Sequence, residues 1–496
     1  MIHHLPIIIP LIFLAAALIL PLAALIKEEL SQPLASLFAL IVAGLSIYGF
    51  LFVIPDGPIR YFMADWKPPI GIEFVYDGLS AFLLAVINSV AVVVLIHSRR
   101  VYPREFPHKQ MPFYTVCMLL LFGFNGMVLT GDMFTLFVFL EISSLASYAL
   151  IAIGGRPAPF AAFRYLIIGT VGGSLYLLGL GFLYNVAGTL NMIDFQGIMP
   201  RVATQPAIIT GVLLMIVGIG LKAALFPMHG WLPDAYTHAS STSTALIAPI
   251  GTKVAAYVVI RLVLFVFGVD NVNAVIPVTT ILSMLAAAGI IYGSIMAIGQ
   301  WEQKRMLAYS SVSQIGYIFM GFTMGSPIAF VGALLHILYH AIMKAGLFLV
   351  SANIRLKAGH SDIRQFDHTF HRKYPWTMAA FTLCAVSMIG LPPMAGFFSK
   401  WYLAIGSLET GQILFLVVLL ASSLLNAVYF FRIIEKVYLK NPGREDGDSR
   451  IPSQESASLA WPALGLAVLL LVFGLGNVWL VDYIQKIIPV ELAAGR

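Results

Sequence analysis

Apolar residues run through this chain in blocks of about twenty, separated by short polar segments. A block of that length crosses the roughly 30 Å hydrocarbon core of a bilayer as an α-helix rising 1.5 Å per residue. Barrel strands would read instead as alternating stretches of about ten residues. The pattern predicts an all-α polytopic membrane protein with about fourteen transmembrane helices. They cover residues 5–26, 33–54, 77–97, 112–130, 132–153, 160–187, 206–228, 240–267, 274–298, 304–323, 327–353, 375–403, 411–437 and 458–482. With 496 residues, each span has enough chain for one helix and a short loop, and no soluble domain is left over. The longest loops are 55–76, 354–374 and 438–457, while 60–68 and 192–200 read as short interfacial pieces. No basic region precedes the first span, so the pattern predicts no cleaved leader.

The polar segments also give an orientation. With the N-terminus outside, the inner loops carry nineteen Lys and Arg residues: Lys27, Arg99, Arg100, Arg104, Lys109, Arg156, Arg164, Lys304, Arg305, Arg355, Lys357, Arg364, Arg372, Lys373, Arg432, Lys436, Lys440, Arg444 and Arg450. The outer side carries five: Arg60, Lys67, Arg201, Lys486 and Arg496. Cationic loops stay on the cytoplasmic side, so this bias predicts a multi-pass protein of the cell membrane with both termini outside. An odd number of spans would scramble the asymmetry.

Composition narrows the function. Hydrophobic residues make up 59% and charged residues 10%, against roughly 25% charged in soluble domains. A soluble enzyme and a disordered chain are excluded. The net charge of +6 would suit nucleic acid, but the basic residues sit in short loops between spans and report topology instead. Cys117 and Cys384 lie inside apolar blocks, with neither a disulfide framework nor metal-ligand spacing. There is no phosphate-binding glycine loop, CxxC pair or zincin motif, so neither a cofactor nor a metal is expected.

Pro227-Met228-His229-Gly230-Trp231-Leu232 closes the seventh span, and Pro393-Met394-Ala395-Gly396-Phe397-Phe398 lies within the twelfth. Both should break a helix. The breaks are an odd number of spans apart, so five-helix units made of spans 4–8 and 9–13 would be inverted relative to each other. Inverted repeats with broken helices are common among secondary transporters. The resulting division is 1–111 for the first three helices, 112–267 and 274–437 for the repeats, and 438–496 for a cytoplasmic loop and the last helix.

Several ionisable residues stand where a membrane should forbid them. A charged group at mid-bilayer costs at least about 2.5–3.5 kcal/mol and is functional by default. Glu141 is in the fifth span, Lys222 just before the seventh-span break, Lys253 in the eighth span, and Lys400 after the twelfth-span break. The eleventh span carries His336, His340 and Lys344 at i, i+4 and i+8, on one helix face. Two imidazoles and an amine so aligned can pass a proton through intervening water. The shared face rules out both histidines ligating one haem from opposite sides. Glu141 is the one acidic residue placed at mid-depth and needs a partner. Lys222 is the candidate, in an ion pair whose opening would release the lysine proton. His229 and His238 flank the seventh-to-eighth connection and are candidates for a cytoplasmic proton entrance. Asp132 and Asp234 read as interfacial caps, and Arg261 as a snorkelling side chain near a span end.

These residues carry a resemblance. Phe-Leu-Glu-Ile-Ser-Ser-Leu around Glu141, the stretch Gly220–Tyr236, the following Ala-Ser-Ser-Thr-Ser-Thr-Ala-Leu and the His-x-x-x-His-x-x-x-Lys of the eleventh span resemble the antiporter-like proton-translocating family. That family includes membrane components of Mrp-type Na+/H+ antiporters, of respiratory complex I and of energy-converting hydrogenases. The resemblance covers roughly spans 3 to 13. It implies fourteen helices, two inverted repeats, and broken helices 7 and 12. It also implies that Glu141, Lys222, Lys253 and Lys400 match the family's helix 5 glutamate, helix 7 lysine, central lysine and exit residue. The chain stops soon after the fourteenth span, which does not fit the members with a long lateral helix. Lys400 argues against the branch with Glu there. The chain looks closest to the D-type component of Mrp-type antiporters. On that resemblance it would move protons, coupled to Na+, within a hetero-oligomeric membrane complex. The alternative is a proton-pumping, non-redox subunit of a complex I-like NADH:quinone oxidoreductase or a membrane-bound hydrogenase.

Overall fold

The computed structural model describes residues 2–52, 57–106, 109–439 and 455–489. The chain enters through α1 (Leu5–Ile26), α2 (Ser31–Phe52), α3 (Gly78–Glu105), α4 (Gln110–Leu129), α5 (Met133–Ala152) and α6 (Ala158–Ala187). A surface helix, α7 (Met192–Val202), leads to α8 (Pro206–Lys222), α9 (Leu232–His238) and α10 (Ser241–Ile260). A π-helical turn over Arg261–Phe267 and the one-turn α11 (Val269–Val272) follow. Then come α12 (Val278–Ile298), α13 (Gln303–Thr323), α14 (Pro327–Ala358), α15 (Phe370–Lys373), α16 (Pro375–Ile389), α17 (Ala395–Glu409) and α18 (Ile413–Ile434). The last are α19 (Ala457–Leu475) and α20 (Asn477–Gln485).

Polar residues set the helix ends. Asp77 opens α3 with a capping box shared with Ser80. Asp132, Ser240 and Ser326 cap α5, α10 and α14 by accepting from backbone N–H groups within the first turn. Gly188 and Gly359 end α6 and α14 in the left-handed region that a helix C-terminus favours.

Among the described residues, eleven helices are long and apolar enough to cross a membrane. The protein is therefore a polytopic integral membrane protein. Three predicted spans fall on other kinds of segment. The seventh stops at Lys222, and the chain turns before α9 resumes. The twelfth is divided between α16 and α17. The tenth is α13, 21 residues long, whose Lys304, Ser310, Ser311, Ser313 and Gln314 are all buried.

Burial sorts the helices. The most apolar stretch of α14 is completely buried, against α3, α10, α13, α16, α17 and α19. By contrast, α1, α2, α6 and α18 show large apolar side chains outward, among them Leu18, Leu40, Phe163 and Leu424. Such an outer surface suits lipid, where exposing leucine costs nothing. α14 is thus the central post, and it carries the stripe of His336, His340 and Lys344.

The prediction of an all-α chain needs one correction. Ile59–Phe62 pairs antiparallel with Glu73–Tyr76 in a two-stranded hairpin inside the 55–76 loop. Buried Glu73 holds it, pairing with Arg60 and accepting from Asn191 Nδ2 at 2.8 Å. Four-residue strands are too short to leave a period in the sequence. α3 and α14 also run past their predicted ends at 97 and 353, because cationic turns extend both helices beyond the apolar blocks. Most of the 438–457 loop, Lys440, Arg444, Arg450 and Arg496 lie outside the described residues.

The pair α6 and α8 packs backbone on backbone. A Cβ on Gly218 would sit 2.5 Å from the Gly172 carbonyl oxygen, and one on Gly179 would sit 2.5 Å from that of Gly211. Small residues let membrane helices approach this closely. Gly218→Val should pry the pair apart and destabilise the protein by about 1–3 kcal/mol, read as a lower thermal unfolding midpoint in detergent. Gly181→Ala, on the same α6 but facing open space, should leave the midpoint unchanged.

Candidate functional site

The two helix breaks place the lysines. α8 ends at Lys222, followed by Ala224 in the left-handed region at φ 57°. The carbonyls of a helix's last turn lack intrahelical donors, and inside a membrane they must find others. Here Trp231 Nε1 donates to Leu221 O at 2.9 Å. At the second break, Gly390 ends α16 with φ 91°, and Lys400 reaches back from α17. Its Nζ donates to Met388 O at 2.9 Å, Ile389 O at 3.0 Å and Ser423 Oγ at 3.2 Å. One side chain thus closes the broken end of one helix and joins it to α18.

Lys222 Nζ donates to Ser144 Oγ at 2.6 Å and Tyr148 OH at 2.9 Å, both on α5. Glu141 lies one turn before Ser144 on the same face. Its Oε1 is buried beside Gly173 of α6, without a hydrogen-bond partner among the described residues. The expected Glu141–Lys222 ion pair is therefore not closed: two α5 hydroxyls hold the ammonium instead. Ser144 and Tyr148 carried no signal in the sequence, although their spacing of three and seven residues from Glu141 marks one helix face. A cavity of about 30 Å³, lined by Ser144, Lys222, Trp231, Tyr236, Gly251 and Thr252, adjoins the lysine. That exceeds the ~10–15 Å³ one water needs.

Thr252 carries the polar lining to Lys253, which is fully buried. Lys253 Nζ donates to Ala248 O at 3.0 Å and contacts Thr252 Oγ1 at 3.4 Å. α10 packs on α14, where His336, His340 and Lys344 are all buried. The two imidazoles stack with centroids 5.6 Å apart. His336 Nδ1 lies 3.0 Å from Ser399 Oγ, next to Lys400, while among the described residues His336 Nε2 and both ring nitrogens of His340 have no hydrogen-bond partner. Lys344 turns away from the stripe, and its Nζ donates to Leu307 O and Ser310 Oγ of α13, both at 2.7 Å.

The structure thus places Lys222, Lys253, His336, His340, Lys344 and Lys400 in the packed interior of one bundle. His229 is buried between Phe226 and Tyr292, with ring centroids 5.5 and 4.9 Å away. His238 ends α9, half-buried, near Asp234, which pairs with Arg164 at 2.7 Å. No contact joins the two histidines among the described residues. Asp132 caps α5, and Asp234 is an ion-pair partner instead. Arg261 does not snorkel: it pairs with Asp77, tying the π-helical turn to the start of α3. Lys304, expected in an inner loop, is buried and donates to Ala239 O at 2.7 Å, because α13 starts against the end of α9.

Fold and site together define a polytopic membrane protein that carries a row of ionisable side chains through its interior. The chain belongs to the NADH:quinone oxidoreductase/Mrp antiporter transmembrane family, which matches residues 130–426. It is 43% identical to NADH-quinone oxidoreductase subunit N of Desulforudis audaxviator over 505 aligned residues, 99% of each chain. It is 30% identical to the D-type component of the Na(+)/H(+) antiporter of Alkalihalophilus pseudofirmus, over 86% of this chain and 85% of that one. A chain in the structure of the Mrp complex from Dietzia sp. superposes with a TM-score of 0.88 at 25% identity, covering 99% of this chain and 97% of that one. These similarities support the family expected from the motifs. They do not support the D-type antiporter component in particular, since the identity to the quinone oxidoreductase chain is higher.

A Cβ on Gly173 would sit 2.3 Å from Glu141 Oε1. Gly173→Ala should therefore displace the carboxylate without changing any charge. Proton transport by the assembled protein should fall by roughly tenfold, measured in vesicles, whereas Gly181→Ala should transport normally.

Proposed function

We propose that this chain is a proton-translocating, non-redox membrane subunit of a complex I-like quinone oxidoreductase. The carrying observation is the 43% identity to an NADH-quinone oxidoreductase subunit N along nearly the whole of both chains. In this reading the protein has fourteen spans in a cell membrane, both termini outside, with two inverted five-helix units at 112–267 and 274–437. It works beside redox subunits that supply the driving energy. The interior row fits the task, since amines and imidazoles held among hydroxyls can take up and release protons. Protons enter near α8–α10, where His229 and His238 flank the break, and load Lys222. They pass by Lys253 and the α14 stripe and leave by Lys400. Glu141 is the switch, with an open arrangement in which Lys222 rests on Ser144 and Tyr148. When the carboxylate and ammonium approach, the cation is favoured; when they part, the proton is released.

A second reading has its own support. The fold matches a chain of an Mrp complex with a TM-score of 0.88, and a D-type antiporter component is 30% identical. In that reading the same row exchanges protons for Na+.

One assay separates them. Everted vesicles holding the complete complex should acidify when an electron donor is supplied, read with a pH-sensitive dye, and should not respond to Na+ alone. Glu141→Ala or Lys222→Ala should lower proton movement about a hundredfold while the complex still assembles. A Na+-evoked dye response without any donor would move the chain to the antiporter reading. Wild-type transport by both variants would remove the switch.

A further inference from the structure

Beside the central post the bundle is not filled. A cavity of about 400 Å³ lies between α2, α3, α14 and α19. Its walls are apolar: Phe50, Phe82, Leu338, Ile342, Leu466 and Phe473 line it, and among the described residues Ser89 of α3 supplies its one hydroxyl. Ile47 and Leu51, on the α2 rim, are exposed, whereas Leu338 and Ile342 at the back are 7% and 3% exposed. The cavity is thus a groove that reaches from the outer face of α2 to α14. Water finds too few partners in such a space, and an empty one forfeits dispersion contacts at a cost that rises with its volume.

A second, more polar cavity of about 290 Å³ lies at the start of α3, with Asp77, Leu79, Lys486 and Ile487 among its walls. The two are neighbours along the chain: Leu79 comes one turn before Phe82, and Ile487 two turns after Leu480 of the groove. At their junction Phe50 packs on Tyr483 and Trp479 of α20, with ring centroids 4.1 and 5.9 Å away. Trp and Tyr favour the level where lipid headgroups meet hydrocarbon. The Tyr483 hydroxyl is buried with no hydrogen-bond partner among the described residues. Asp77 is already paired with Arg261, at 2.8 Å, but Lys486 is exposed and in no ion pair among the described residues. Depth is informative too. From Phe82 to Val93 the groove follows α3 for about 16 Å at 1.5 Å per residue. One leaflet of hydrocarbon is half of roughly 30 Å. The groove therefore has the depth of one leaflet, where a partner's transmembrane helix would need twice that.

We propose that this groove binds one phospholipid molecule, with an acyl chain between α3, α14 and α19 and the phosphate at Lys486. The proposal goes beyond proton transport and does not depend on it. The Tyr483 hydroxyl, one turn before Lys486, gains an ester oxygen as acceptor. The acyl chain lies on the face of α14 opposite the histidines, since Leu338 and Ile342 each stand two residues from His336 and His340. Such a lipid fills the back of the central post rather than coating the outside of the bundle.

The test uses the complete complex in vesicles of phosphatidylethanolamine and phosphatidylglycerol, doped with phosphatidylglycerol whose acyl chain carries a photoactivatable diazirine. After illumination, labelled peptides are mapped by mass spectrometry. The expected result is label on the buried α14 peptide that holds Leu338 and Ile342, besides label around the exposed Leu424 of α18. Lys486→Ala should lower the α14 label about fivefold, the worth of one cation near a membrane surface, and leave the α18 label unchanged. Ala85→Phe, which fills the groove from α3, should remove the α14 label. Lys486 is exposed, so its variant keeps the test open even where Ala85→Phe fails to fold. Label on α18 with none on α14 would overturn the proposal, and so would an α14 label that Lys486→Ala leaves unchanged. Label on α14 in the isolated chain but not in the complex would overturn it in favour of a neighbouring subunit.

Discussion

The whole interior depends on one kind of contact: a lysine ammonium held by neutral oxygens. Lys222 rests on a serine and a tyrosine hydroxyl, Lys253 on a carbonyl and a threonine, and Lys344 on a carbonyl and a serine. Lys400 sits on two carbonyls and a serine, and Lys304 on a carbonyl. None of these five is in an ion pair among the described residues. A buried charge needs compensation, yet a carboxylate partner would fix it. If the lysine lost its proton, the carboxylate would be left alone in low dielectric. Dipoles avoid that penalty, because a carbonyl or hydroxyl hydrogen-bonds a neutral amine too. In the proposed function, such a lysine would be stable enough to fold around and able to discharge.

Ion pairs with short contacts appear elsewhere, where rigidity is wanted. Arg261 with Asp77 ties α3 to the turn after α10, and Arg60 with Glu73 locks the hairpin to the start of α7 through Asn191. The helix breaks link the two designs. A broken helix supplies carbonyls short of intrahelical donors, which makes it a natural cradle for an ammonium. At the second break Lys400 fills that need itself. At the first, the Ala224 N–H and Trp231 Nε1 both donate to Leu221 O, leaving the Lys222 amine to α5. The proline–glycine segments therefore create sites as well as kinks.

Much of this was legible in the sequence, for identifiable reasons. Twenty-residue apolar blocks have a single structural solution in lipid, so the helical plan followed from hydropathy. A lysine in the middle of such a block announces itself, and so did the i, i+4, i+8 spacing on α14. What stayed hidden was partnership. Nothing in the sequence tells that Lys344 turns to Ser310 rather than along its own face, or that Lys304 is buried beside α9. Serine and tyrosine are common in membrane helices, so Ser144, Tyr148 and Ser423 did not stand out. α13 reads as a span at 304–323, yet only neighbours on every side make its buried serines intelligible.

Charge economy explains the single acidic residue of the row. With lysines spread along α8, α10, α14 and α17, carrying a proton on each at once would put like charges in a medium that screens them poorly. In the proposed function, neutral amines interleaved with one or two charged ones would relieve that repulsion. In the proposed function Glu141 supplies a movable bias at one end of this row, and its partnerless Oε1 beside Gly173 is what a group poised between two arrangements requires. A second carboxylate further along would trap the proton midway. The absence of one from α10, α14 and α17, except for Glu409 at the very end of α17, is therefore part of how such a row would keep moving charge.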